Sequence, residues 1–225
     1  MNHLMTQLCT YCNSIADTKD HVPPKLIFPK PRPNLITVPA CSSCNQQASK
    51  DDEYFRLITA LEEKSSEHPD FPKVYKQIIR SLSRPEAPGF RSVFQKSLNS
   101  YDIFSQGGIY VKTSQGYEVE KTRVNRVIER VTRGLFFDTF GRRLSIETSV
   151  TATPGRDFSD PGAMAFVRDM LNKGSPWRCL GDSTFCWRYT TCAEEGDTSA
   201  WLYLVFGSVS FLGITIGNNP DISNK

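Results

Sequence analysis

The chain lacks an uninterrupted apolar run. Its longest, Ala200 to Ile216, is broken by Gly207, Ser208, Ser210 and Gly213, so it reads as strands and excludes a membrane span at that place. The opening residues MNHLMTQLCTYC have no charged n-region and no apolar h-region, so a secretory signal is not expected there and a cytoplasmic protein is. Repeats and low-complexity tracts are missing too, which argues against a solenoid or fibrous architecture. Charge of one sign is scarce overall: the net charge is +3 and the pI about 8.4, too mild to prove a nucleic-acid partner.

What is present supports a folded protein. In 225 residues the hydrophobic fraction is 39%, with 14 Phe, 8 Tyr and 3 Trp. That supplies a core, excludes wholesale disorder, and fits one large domain or two small ones. The charge is uneven. Residues 1–150 carry 21 Lys and Arg against 16 Asp and Glu, whereas residues 151–225 carry 6 against 8, so positive charge is concentrated in the first two thirds.

Three regions separate by composition: 1–64, a proline-punctuated helical connector over 65–108, and an α+β region over 109–225 expected to position substrate, dimerise or bind a regulator. Six prolines between Pro23 and Pro39 forbid a long helix there. From Asn45 to about Lys64, the recurrence of Tyr54, Phe55, Ile58 and Leu61 predicts a helix, with a short one near Lys73–Leu82. A hairpin is expected over Ile109–Glu120, turning at Ser114-Gln115-Gly116. The clearest helix spans 121–140, with Val124, Val127, Ile128, Val131 and Leu135 on one side and Gly141 as its stop. Thr184–Thr191, Ala200–Phe206 and Val209–Ile216 read as an antiparallel meander, and NNPDISNK at the end as frayed.

Seven cysteines, an odd number, do not make a complete disulfide framework. Four form two C-x2-C pairs, Cys9/Cys12 and Cys41/Cys44, separated by 28 residues. Two such knuckles supply four thiolates to a tetrahedral Zn²⁺; with four protein ligands the site is closed and structural rather than catalytic. Between the pairs lies Asp20-His21-Val22-Pro23. A carboxylate beside an imidazole suits metal-assisted hydrolysis: the first holds a cation, the second takes a proton from water. Adjacent side chains on a strand point to opposite sides, so one shared site requires the backbone to bend here.

CTYC…DHVPP…NL…CSSCN…SKDDEYF, over Cys9 to Phe55, resembles the HNH endonucleases of the zinc-stabilised branch. The resemblance implies an α+β protein with an N-terminal zinc-bound ββα-metal (HNH) module. It implies that Asp20 is a ligand of the catalytic metal and His21 the general base. Asn34 would orient the His21 ring, and Asn45 would stand as second metal ligand in place of the family's final His. Oxygen ligands from Asp20 and Asn45 suit Mg²⁺ or Mn²⁺, with room left for water and phosphate. The substrate expected is DNA, with RNA as the other polymer, and a role in restriction, mobile elements or antiviral defence fits.

Other residues are weighed individually. Lys50 is a candidate phosphate contact or a solvated lysine, and Glu53 a second acid near the metal or a surface acid. Arg123, Arg126, Arg130 and Arg133 recur at steps of three and four and could track a phosphate backbone, or form the solvated face of a helix. His3 and His68 read as surface histidines, and Cys179, Cys186 and Cys192 as buried thiols near the meander. Trp177, Trp187, Tyr189, Trp201, Tyr203 and Phe206 read as core or sheet surface rather than base-stacking platforms. The competing function is a zinc-containing nucleic-acid-binding or adaptor protein without catalysis. A third reading is an interaction protein in which zinc serves only as a staple.

Overall fold

The computed structural model describes residues 7–32, 34–85, 88–157, 160–192 and 196–217. His3 and the terminal NNPDISNK fall outside these residues. The chain is mixed α+β with antiparallel sheets. Strands β1 (Thr18–Val22) and β2 (Ile36–Ala40) pair antiparallel, and helix α1 (Ser42–Ala60) follows at once. Then come α2 (Phe71–Leu82), α3 (Pro88–Ser97), a hairpin of β3 (Leu98–Phe104) and β4 (Tyr110–Tyr117), and α4 (Lys121–Phe140). Strand β5 (Ser149–Pro154) and helix α5 (Pro161–Lys173) precede β6 (Arg178–Leu180), β7 (Phe185–Thr191), β8 (Ser199–Val205) and β9 (Val209–Ile216). The last four strands form a meander, and β5 adds to its far edge, giving the order β5-β9-β8-β7-β6.

Helix α4 organises the core. Its apolar stripe, Val124, Val127, Ile128, Val131 and Leu135, is buried as the periodicity demands, and Gly141 ends it in the left-handed region at φ 68°. It packs on α1, β1 and β2 on one side and on β5 and β9 on the other. One contiguous cluster therefore runs from Val22, Phe28 and Phe55 through α4 to Phe185, Trp201 and Phe211, with Val74 and Ile78 of α2 joining it. Gly134 sits where α4 crosses β1: a Cβ there would lie 2.5 Å from Val22 Cγ2. Its value is close approach rather than helix weakening.

Several expectations are corrected. Strand β4 runs straight through Ser114-Gln115-Gly116, and the turn lies at Gln106-Gly107-Gly108, where Gly108 takes φ 78°. Gly116 marks a packing site, not a turn: the Tyr101 ring from β3 lies where its Cβ would point, at 2.7 Å. His68 is buried, its Nδ1 accepting the Asp70 N–H at 3.1 Å and its ring edge-on to Phe206. Cys179 and Cys186 are not thiols: they lie opposite each other in β6–β7 and form a disulfide, while Cys192 is free and exposed. Trp187, Trp201, Tyr203 and Phe206 are buried, Tyr189 stacks on Trp201, and Trp177 is exposed. Among the described residues, no helix is long and apolar enough to cross a membrane.

Candidate metal centre and adjoining strand site

The four paired cysteines converge. Their sulfurs all lie within 4.8 Å of one another, with Cys9 and Cys41 buried and Cys12 and Cys44 half-buried. Cys12 Sγ is 3.7 Å from both Cys41 Sγ and Cys44 Sγ. Tetrahedral Zn–S bonds of about 2.3 Å place sulfurs roughly 3.8 Å apart, so the cluster could hold a zinc ion as it stands.

Local structure prepares the thiols. The N–H of Tyr11 donates to Cys9 Sγ, that of Ser14 to Cys12 Sγ and that of Cys44 to Cys41 Sγ, at 3.4 to 3.5 Å. Such donation stabilises thiolate. Hydrogen bonds from Ser14 hold the Cys12 thiol down at about 6, whereas burial pushes Cys9 and Cys44 up, a penalty that a bound cation would remove. Arg143, just beyond α4, donates to the carbonyls of Cys9 and Cys12 at 2.8 Å each and fixes the first knuckle. Asp17 accepts from the Ser42 N–H and hydroxyl at 2.6 and 2.7 Å, tying that knuckle to the start of α1, and those bonds lower its pKa.

The staple brings the first turn of α1 against β1. Asn45 Nδ2 donates to Thr18 Oγ1 at 3.3 Å and to the Lys19 carbonyl at 3.2 Å. Lys19 lies opposite Pro39, whose carbonyl is turned away to accept the Thr10 N–H at 2.9 Å; this is a non-hydrogen-bonded pair of the ladder, so the Lys19 carbonyl faces away from β2 and the helix supplies its donor. Asn45 is thereby held beside the residue preceding Asp20.

Asp20 and His21 do not bend toward each other. Strand β1 continues regularly through both, opposite Val38 and Thr37, and they face opposite sides. Asp20 is buried: its Oδ2 accepts the Tyr11 hydroxyl at 2.8 Å and lies 3.3 Å from Arg130 Nε. His21 is half-buried, its Nδ1 enclosed without a hydrogen-bond partner among the described residues. Burial, with Lys25 close by and Arg32 adding to it, holds its pKa below the usual histidine value, so the imidazole is neutral at pH 7. Asn34 is exposed and makes no bond to that nitrogen, so the orienting role expected of it has no counterpart in the geometry.

The arginines form neither a free basic row nor a solvated face, and both expectations are corrected. They point at α1. Arg123 donates to Asp51 at 2.8 Å and to the Lys50 carbonyl at 2.7 Å, with its guanidinium 4.4 Å above the Tyr54 ring. Arg126 pairs with Asp51 at 2.7 Å and is 59% exposed, the one open member. Arg130 joins Asp52 to Asp20, and Arg133 donates to Glu129 and to the carbonyls of Ser145 and Thr148. Burial lifts Asp52 to about 6 against the pull of Arg130, and burial together with the Asp20 charge pushes Tyr11 well above the usual tyrosine value. Asp51 goes the other way: burial opposes it, but Arg126 and Arg123 hold its carboxyl low.

Between the two helices lies a cleft of about 850 Å³ lined by Tyr11, Cys44, Gln47, Lys50, Arg126 and Arg130, among others. Lys50 is exposed at its rim, while Glu53 turns away to Arg56 at 3.5 Å. Tyr11, Asp52, Asp51 and Arg143 are the members that sequence reasoning missed. The acidic run Asp51-Asp52-Glu53 was the available signal, since its two aspartates face Arg123, Arg126 and Arg130 in the same chain.

Comparison with family models, with curated proteins and with solved structures returned no match to this chain. The zinc-competent thiol cluster and the α+β architecture are therefore findings of the geometry alone, and the activity is argued below from the residues.

Proposed function

We propose that the chain is a metal-dependent endonuclease of the HNH type, hydrolysing phosphodiester bonds in DNA. One observation carries the reading. The four-thiol staple seats the first turn of α1 on β1, so that Asn45 reaches the strand immediately beside Asp20-His21. A divalent cation, Mg²⁺ or Mn²⁺, would be held by oxygens of Asp20 and Asn45. The donor set fits in one respect: the Tyr11 and Arg130 contacts both fall on Asp20 Oδ2, and Asn45 spends only its Nδ2. When bound, such an ion polarises the phosphate and neutralises its developing charge. His21 serves as general base: its lowered pKa leaves a neutral imidazole able to take a proton from water. Because Asp20 and His21 face opposite sides of β1, this reading requires the phosphate to lie along the strand's edge between them. The charges of Lys25 and Arg32, which help to hold the imidazole neutral, add positive potential there.

A second reading, a zinc-stapled nucleic-acid-binding or adaptor module without catalysis, is favoured by the Asp20–Arg130 pair. A buried guanidinium already neutralises the carboxylate that a cation would need. Plasmid nicking separates the two. Wild type should nick supercoiled DNA with Mg²⁺ or Mn²⁺, and His21→Ala should lose roughly 10²-fold or more in rate while still folding. A wild type that nicks nothing with any divalent ion, yet retards DNA in a gel, selects the binding module. RNA supplied in parallel identifies the polymer.

A further inference from the structure

Beyond its base, where Tyr117 packs on the shared core and its hydroxyl donates to the Ile58 carbonyl, the β3–β4 hairpin is exposed. Every residue of β3 is exposed, and the two strands form a sheet of their own with no third strand on either edge among the described residues. The arm carries Leu98, Tyr101, Ile103 and Phe104 on β3, with Ile109 and Tyr110 beyond the turn, all between 40% and 72% exposed. A lone two-stranded hairpin is marginal in water. Proteins protect open edges with charge, proline or cover. Strand β4 has Lys112, but the single charge of β3, Asp102, is turned inward to accept the Thr113 hydroxyl at 2.6 Å. The outer edge of β3 has no such protection.

Charge decides the class of partner. From residue 98 to 117 there is one lysine and one aspartate, so the arm is neutral. A phosphate backbone or an anionic membrane requires a cationic face. The arm's sequence is instead complementary to itself. We infer that two copies of this chain pair antiparallel along the outer edges of β3, about a two-fold axis at Tyr101. In that register Leu98 of one copy lies opposite Phe104 of the other, Asn99 opposite Ile103 and Ser100 opposite Asp102. Tyr101 meets its own counterpart. Apolar meets apolar at both ends of the seam, and no like charges face each other. The two hairpins become one four-stranded sheet. Four of these side chains, Leu98, Tyr101, Ile103 and Phe104, lie on the seam strand; half-exposed, they present on the order of 100 Å² each, so the seam covers roughly 400 Å² of apolar side chain per copy, below the ~800 Å² of a standard interface, and the pairing is concentration-dependent with backbone hydrogen bonds supplying the rest. This inference does not depend on the nuclease reading.

The test is sedimentation of the full chain over a concentration series, with Ile103→Lys against Ile146→Lys, an equally exposed isoleucine off the arm. The expected result is a wild-type species of twice the 25.4 kDa chain mass. Ile103→Lys should raise its dissociation constant at least ~10-fold by placing an ammonium in the seam, and Ile146→Lys should leave it unchanged. Hydrogen exchange on unmodified protein adds a readout that needs no variant: amides of β3 should gain protection with concentration. A monomer at all concentrations, a dimer indifferent to Ile103→Lys, or β3 exchange independent of concentration overturns the proposal. A monomer whose arm gains protection only with a second protein assigns the edge to a different partner.

Discussion

Arg130 stands between Asp20 and Asp52, with its Nε 3.3 Å from Asp20 Oδ2 and a terminal nitrogen on the Asp52 carboxylate. One side chain thus ties strand β1 to helix α1 from helix α4. All three side chains are at most 15% exposed, so these charges depend on one another rather than on water.

Removing the shared cation should cost far more than a surface pair would. Arg130→Ala is expected to lower unfolding free energy by about 3–5 kcal/mol, because two buried carboxylates lose their counter-ion. Adding Asp52→Asn to that variant should recover part of the loss. Urea denaturation of the four-member cycle measures both.

Asp52 gives the same cluster a pH dependence of defined sign. Its folded pKa of about 6 lies above the unfolded carboxylate value, so the native state holds this proton more tightly. The stability this supplies is complete below about pH 4 and is lost as pH rises toward 6, by up to about 3 kcal/mol. The difference in stability between wild type and Asp52→Asn should fall across that window and stay flat above it. A difference that rises instead would show that Arg130 holds the carboxylate ionised.

Elemental analysis should find about one zinc per chain. Chelation should lower the melting temperature and open the first 60 residues to proteolysis, since the thiols join the start of the chain to α1. Cys41→Ser should reproduce this without chelator, whereas Cys192→Ser, at an exposed free cysteine, should not.

Gly134→Ala tests whether the close approach of α4 to β1 matters. Helix propensity alone predicts a gain of up to about 1 kcal/mol. The contact with Val22 predicts a loss of about 1–3 kcal/mol, because neither backbone can retreat without opening the core. Val22→Ala should make the added methyl tolerable, so the double variant should lie above the sum of the singles in thermal melts.

Much was legible in the chain itself wherever a local rule sufficed. Helix α4, its buried stripe and its glycine stop followed from a 3.6-residue period with nothing competing. The meander followed from β-branched and aromatic runs. The two knuckles followed from spacing, because C-x2-C closes within a single turn. The errors arose where a residue's meaning depended on a distant neighbour. Gly116 has the composition of a turn, but Tyr101 lies over it, and His68 has the polarity of a surface residue, but Phe206 packs against it. Strand β5 and helix α5 carried no periodic signal strong enough to be singled out.

The sequence by itself determined the thiol chemistry, four cysteines in two tight turns, and set a carboxylate, an imidazole and a carboxamide between or beside them. Only the tertiary structure decided where those groups face. It set Asp20 inward against Arg130 and Tyr11, left His21 on the other side of the strand, and turned Arg123, Arg126 and Arg130 of α4 onto Asp51 and Asp52 of α1. The physical reason is that charge pairing and side-chain direction are properties of two packed elements. A helical wheel shows which residues share a face but not what that face meets, and here it meets two aspartates some 70 residues away in the chain.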